Sequence, residues 1–164
     1  MILALTACAT RSDQEALRSN LVLGQAADFQ ARGIVARAIK AYESAIKLNA
    51  DSPAVHFNLG LLYQEQGAFE TSIEHLDQAL VDPEYGLGTH FALGQSYYRW
   101  GKASDALQHL LQVLLLVDSE TVPPEHLDAL EQAYEQLYFQ YSGPNESADT
   151  RRFVDSIISF LSIK

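Results

Sequence analysis

Histidine and cysteine are the side chains here best suited to metal binding or nucleophilic chemistry, and the sequence holds five of the first and one of the second. A metal centre built on them would need ligands at short helical spacing, as in His-Glu-x-x-His, or paired thiolates, as in Cys-x-x-Cys. Neither pattern occurs. His56 and His90 instead stand 34 residues apart, as do His75 and His109, which is the arithmetic of a repeat rather than of a ligand cluster. Cys8 is alone at the extreme N-terminus, so a Cys-His nucleophile has no support. Gly86-Leu87-Gly88 lacks the preceding strand, the third glycine and the lysine of a phosphate-binding loop, and reads as a linker. The expectation is therefore a chain with no catalytic residues, no metal and no cofactor, and not an enzyme.

The elements that carry these residues follow from composition and periodicity. At 164 residues and 48% hydrophobic, the chain suits one domain with a real core. Its net charge of −10 argues against surfaces that track nucleic-acid phosphates. The charge is uneven: residues 1–48 carry +2, residues 49–98 carry −7 with no Lys or Arg, and residues 99–164 carry −5. That acidic middle reads as a solvated helical surface, with a field favouring cationic partners as the sharper alternative. One cysteine allows no internal disulfide.

The chain repeats. Leu59-Gly60, Tyr63 and Gly67 recur 34 residues later as Leu93-Gly94, Tyr97 and Gly101, with Val113 opposite Ala79. Stepping back by the same interval gives Ala26, Phe29, Gly33 and Ala45 in register. Each copy has the logic of a helical hairpin. In the second, Val55, Leu59, Leu62 and Tyr63 recur at helical spacing, Gly67 turns the chain, and Ile73, Leu76, Ala79 and Leu80 supply a second apolar face before Asp82-Pro83 stops it. Gly60 and Gly94 leave room where two helices cross, Ala45 and Ala79 allow hairpin to approach hairpin, and Tyr63 and Tyr97 are core wedges with polar tips.

This pattern of Leu-Gly, Tyr, Gly and Ala resembles the tetratricopeptide repeat, framed here as 19–52, 53–86 and 87–120. The resemblance implies an all-α, right-handed α-solenoid of helical hairpins, with residues 1–18 as leader or linker and 121–164 as a degenerate C-terminal hairpin that caps the third unit. The sequence departs from the family pattern at His56 and His90, which replace a large aromatic, and at Gln25-Ala26, which replaces Leu-Gly. The resemblance also implies protein-protein interaction, with the first helix of each hairpin lining a concave groove. Carried onto this chain, the partner-binding residues are Leu23 in the first unit, Phe57, Asn58, Leu61 and Gln64 in the second, and Phe91, Gln95, Tyr98 and Arg99 in the third. Phe57, Phe91 and Tyr98 would anchor an amphipathic helix or extended peptide, or Phe57 and Phe91 would simply pack between hairpins. The carboxylate clamp of repeat proteins that grip acidic C-termini is not expected, because Leu23, Ala27, Gly88 and Ala92 occupy its positions and only Asn58 fits.

Outside the repeats, Pro123-Pro124 suits a helix start, Leu127 to Tyr141 forms an apolar stripe, and Ser142-Gly143-Pro144 breaks it. Asn145 or Ser147 would cap a last helix whose apolar residues run from Phe153 to Leu161. This pair reads as a cap on the stack, with a dimer or docking interface as the alternative. At the other end, Leu5-Thr6-Ala7-Cys8 resembles the lipobox of bacterial lipoproteins and makes Cys8 a lipidation candidate, though the basic and apolar leader that should precede it is missing. Two functions stay open: an adaptor that binds a protein or peptide partner, or a membrane-anchored structural subunit or assembly factor of a bacterial envelope complex. Their locations differ accordingly, cytoplasm or cell envelope.

Overall fold

The computed structural model describes residues 11–143 and 147–162, so Cys8 and the rest of the lipobox-like stretch lie outside the described residues, as does Asn145. Among the described residues, eight α-helices follow one another: α1 (Arg11–Ala31), α2 (Val35–Lys47), α3 (Pro53–Gln66), α4 (Phe69–Ala79), α5 (Gly86–Arg99), α6 (Ala103–Ser119), α7 (Leu127–Tyr141) and α8 (Ala148–Ser162). There is no strand among the described residues, and the fold is an all-α helical-repeat solenoid. No helix among the described residues is long and apolar enough to cross a membrane.

Local chemistry sets the boundaries. Ser52 accepts a hydrogen bond from the Val55 amide, and Pro53 stands at the first helical position of α3, where its missing donor costs nothing. The hairpin turns use one device three times: Gly33, Gly67 and Gly101 have φ of 67°, 79° and 88°, a region that side chains with a Cβ rarely adopt. These positions are 34 residues apart, so the backbone repeats with the sequence. Pro83 opens a 3-10 turn, Pro83–Tyr85, whose first amide bonds go to Asp82.

Within the second and third hairpins, the two helices touch at a glycine. A Cβ added at Gly60 would stand 2.5 Å from Leu76 Cγ, and one at Gly94 would stand 2.7 Å from Leu110 Cγ, both far inside contact distance. Leu59, Leu76, Leu93, Leu107 and Leu110 are wholly buried around these crossings, with Ala26, Ala38, Ala45, Ala79 and Ala106 equally so. The core falls into clusters that each bridge neighbouring units. Ala38, Ile39 and Tyr42 of α2 pack on Val55, Leu59 and Leu62 of α3, and Ile73 and Leu76 of α4 pack on Ala92 and Leu93 of α5.

The C-terminal helices depart from this scheme. α7 and α8 each pack on α6, and they meet each other near the turn between them, where the Tyr141 and Phe153 rings stack at 4.2 Å and Thr150 Oγ1 donates to the Tyr141 carbonyl. Leu107, Leu110 and Leu111 of α6 share one apolar cluster with Val154 and Ile157 of α8, while Phe160 points out and is exposed. Ser147 Oγ accepts from the Thr150 amide at 3.0 Å and caps α8.

Two expectations are corrected. Residues 11–18, placed in a leader or linker, form the first two turns of α1, which buries Ser19 and Ala26 on one side and leaves Leu17 and Leu21 in solvent. Gly86-Leu87-Gly88, read as a linker, is the first turn of α5. The tight 3-10 turn before it already makes the connection.

Gly60→Ala and Gly94→Ala are each expected to lower unfolding free energy by about 1–3 kcal/mol through overpacking. Gly24→Ala, in an exposed stretch of α1 with nothing within 4 Å, is expected to raise it by about 0.5–1 kcal/mol. Urea denaturation of the three variants checks the sign at each position.

Candidate functional site

The inner-helix residues named from sequence come together along α1, α3 and α5, but most already have partners within the chain. Leu23 is half-buried against the cluster of α2 and α3. Asn58 Oδ1 accepts from Gln30 Nε2 at 3.0 Å and its own Nδ2 donates to the Ala54 carbonyl, so this amide ties α3 to α1. Tyr42 OH completes the chain by donating to Gln30 Oε1 at 2.7 Å. Phe57 lies against Tyr85, with ring centroids 5.6 Å apart. Leu61 packs at the edge of the cluster formed by α4 and α5 and keeps part of its surface in solvent, as does Gln95.

Gln64 is a correction. Expected to line the groove, it is buried, and its Nε2 donates to the Ala92 carbonyl and to Ser96 Oγ, both at 2.9 Å. Ser72 adds a bond to the Gly60 carbonyl at 2.8 Å and lies 3.1 Å from Ser96 Oγ. Such a bond between neighbouring units would leave costly unpaired groups if the units separated. At the far end, Phe91 and Tyr98 lean on the cluster shared with α8, Tyr98 OH donates to Asp155, and Arg99 lies 5.0 Å from the Phe69 ring.

Across each of the second and third hairpins the repeat-registered histidines meet. His56 Nδ1 is 2.8 Å from His75 Nδ1, and His90 Nδ1 is 3.0 Å from His109 Nδ1. Such a contact needs one donor and one acceptor, so two doubly protonated rings cannot hold it. In the second hairpin, Asp51 Oδ1 lies 2.6 Å from His56 Nε2 and fixes a proton there. A neutral His56 then accepts at Nδ1 from His75. Tyr63 and Tyr97 stack on the outer ring of each pair, at 5.5 Å and 5.4 Å and nearly parallel. Tyr63 OH donates to Glu43 Oε1 at 2.6 Å, and burial followed by Glu43 pushes its phenol up to about 12.

Sequence reasoning put these histidines in register without pairing them. The signal was present: each pair is separated by 19 residues, the step from the first helix of a hairpin to the facing turn of its second. No group of three or more His, Cys, Asp or Glu among the described residues is disposed to hold a metal ion.

A family model described as a TPR repeat matches residues 29–67, from the end of α1 through α2 and α3. This is a TPR-containing protein. No curated protein matches the chain. TPR repeats are generally protein-protein interaction modules and typically non-catalytic. His56 and His90, which stand where the repeat resemblance has a large aromatic, each meet a histidine of the facing helix at hydrogen-bond distance.

The paired rings give the fold an acid limit. Burial, and after it the facing His90, hold His109 down to about 4, and burial likewise lowers His90 and His75. Groups with folded values below the ordinary 6.5 contribute stability that is present above that value and lost as pH falls toward the folded one. For His109 the window runs from about 6.5 to about 4. The melting temperature is therefore expected to drop between pH 7 and pH 5, and to drop less in His90→Phe/His109→Phe. Equal slopes for the two proteins would show that the pair does not set the limit.

Proposed function

We propose that this chain is a non-catalytic scaffold that holds a partner peptide or helix along the inner helices α1, α3 and α5. The observation that carries the reading is the stack of TPR-type hairpins, a fold whose function is interaction, with a strip of side chains on α3 and α5 not fully covered by its own packing. Leu61 and Gln95 form the centre of that strip. Phe57 borders it from the Tyr85 side, Phe91 and Tyr98 close its far end together with α8, and Arg99 lies over the Phe69 ring of α4. Gln64 acts beneath the strip by fixing the spacing of α3 and α5. Asn58 does the same between α1 and α3.

The partner is a segment with apolar side chains spaced to meet Leu61 and the Phe57 edge and a backbone polar group to meet Gln95. Affinity capture with the full chain identifies it. Trimming the strip by Leu61→Ala/Gln95→Ala is then expected to weaken binding about tenfold, the effect of losing one or two central contacts. Circular dichroism checks that the fold persists. Unchanged affinity in a folded double variant would place the partner elsewhere on the molecule.

A further inference from the structure

A groove of about 280 Å³ is left open between α6 and α7. Its floor is apolar and aromatic: Leu111 and Leu115 come from α6, Tyr134 and Tyr138 from α7. Tyr134 is held in place by its hydroxyl, which donates to Asp118 Oδ2 at 2.5 Å. The groove continues into a trough of about 500 Å³ bordered by Asp128, Glu131 and Glu135.

These three carboxylates follow one another at helical spacing along a single face of α7, and the same face ends in Phe139, which is 68% exposed with its ring 5.8 Å from that of Tyr138. No lysine or arginine occurs anywhere from Ala103 to Thr150, so neither wall of the groove supplies a cation. None of the three carboxylates is in an ion pair among the described residues. The surface thus offers apolar contact along its floor and uncompensated negative charge along its rim.

We propose that the α6–α7 groove is a second docking surface, separate from the inner strip, and that it takes a basic amphipathic helix from another protein. Such a segment would lay apolar side chains on Leu111, Leu115 and Tyr138 and extend Lys or Arg side chains to Glu131, Glu135 and Asp128. From Asp128 to Tyr138 the face is about 15 Å long, which matches two to three helical turns of a partner. An acidic or uncharged segment would leave the rim without a counter-charge.

The probe is a fluorescein-labelled peptide of Leu and Lys at helical spacing, titrated with the full-length chain and read by anisotropy, beside a Leu and Glu peptide of the same pattern. The Lys peptide is expected to bind and the Glu peptide not to. Glu131→Gln/Glu135→Gln is expected to weaken binding about tenfold, while Glu70→Gln/Glu84→Gln, which removes equal charge from exposed sites elsewhere, changes it less than about twofold. Leu61→Ala/Gln95→Ala is expected to leave it unchanged. Equal loss in the two charge variants would reduce the effect to the general field of an acidic protein and overturn the proposal. So would binding of both peptides, or a self-associated chain in sedimentation that Glu131→Gln/Glu135→Gln converts to monomer, since the groove would then hold a second copy.

Discussion

The closeness of two helix axes at one glycine sets the geometry of this molecule. With hydrogen at Gly60 and at Gly94, a leucine from the facing helix seats directly on the backbone, and Leu76 and Leu110 are wholly buried as a result. That contact fixes how steeply the second and third hairpins close. The closing angle decides which face of the pair is offered to the next unit, and the buried alanines Ala45 and Ala79 admit that unit at short range. A hairpin held open by one added methyl would misplace its own buried leucine and also the surface on which its neighbour sits.

Polar groups then make the order of the stack specific. Apolar faces alone tolerate sliding, whereas Gln64 meets two acceptors on α5 and has no equivalent pair one turn away. Gln30 and Asn58 do the same between α1 and α3. The histidine pairs act inside hairpins, where an imidazole in place of a larger aromatic needs a partner for its ring nitrogen. Stacked tyrosines shield those contacts, and Glu43 takes the hydroxyl of the first.

Much of this was legible in the sequence because it follows from backbone and steric rules that act locally. Glycines at 33, 67 and 101 announce turns, and Gly60 and Gly94 announce crossings. What escaped depends on distance through space. Gln64 sits at a position that the repeat frame assigns to the inner surface, and only the proximity of Ser96 and the Ala92 carbonyl draws it inward. The extra turns of α1 carry no strong periodic stripe, since Leu17 and Leu21 face solvent.

The same ties bear on how such a scaffold binds. An inner strip composed of half-exposed residues on α3 and α5 could lose much of its binding energy in ordering the two helices at the moment of contact. Here the order is established beforehand, by Gln64 below the strip and by the Tyr42–Gln30–Asn58 chain beside it. Gln64 and Asn58, which sequence reasoning placed in the groove, instead tie α3 to α5 and α3 to α1 beneath the proposed strip. Polar bonds between units and apolar crossings within them therefore serve one end: a surface whose shape is settled before a partner arrives.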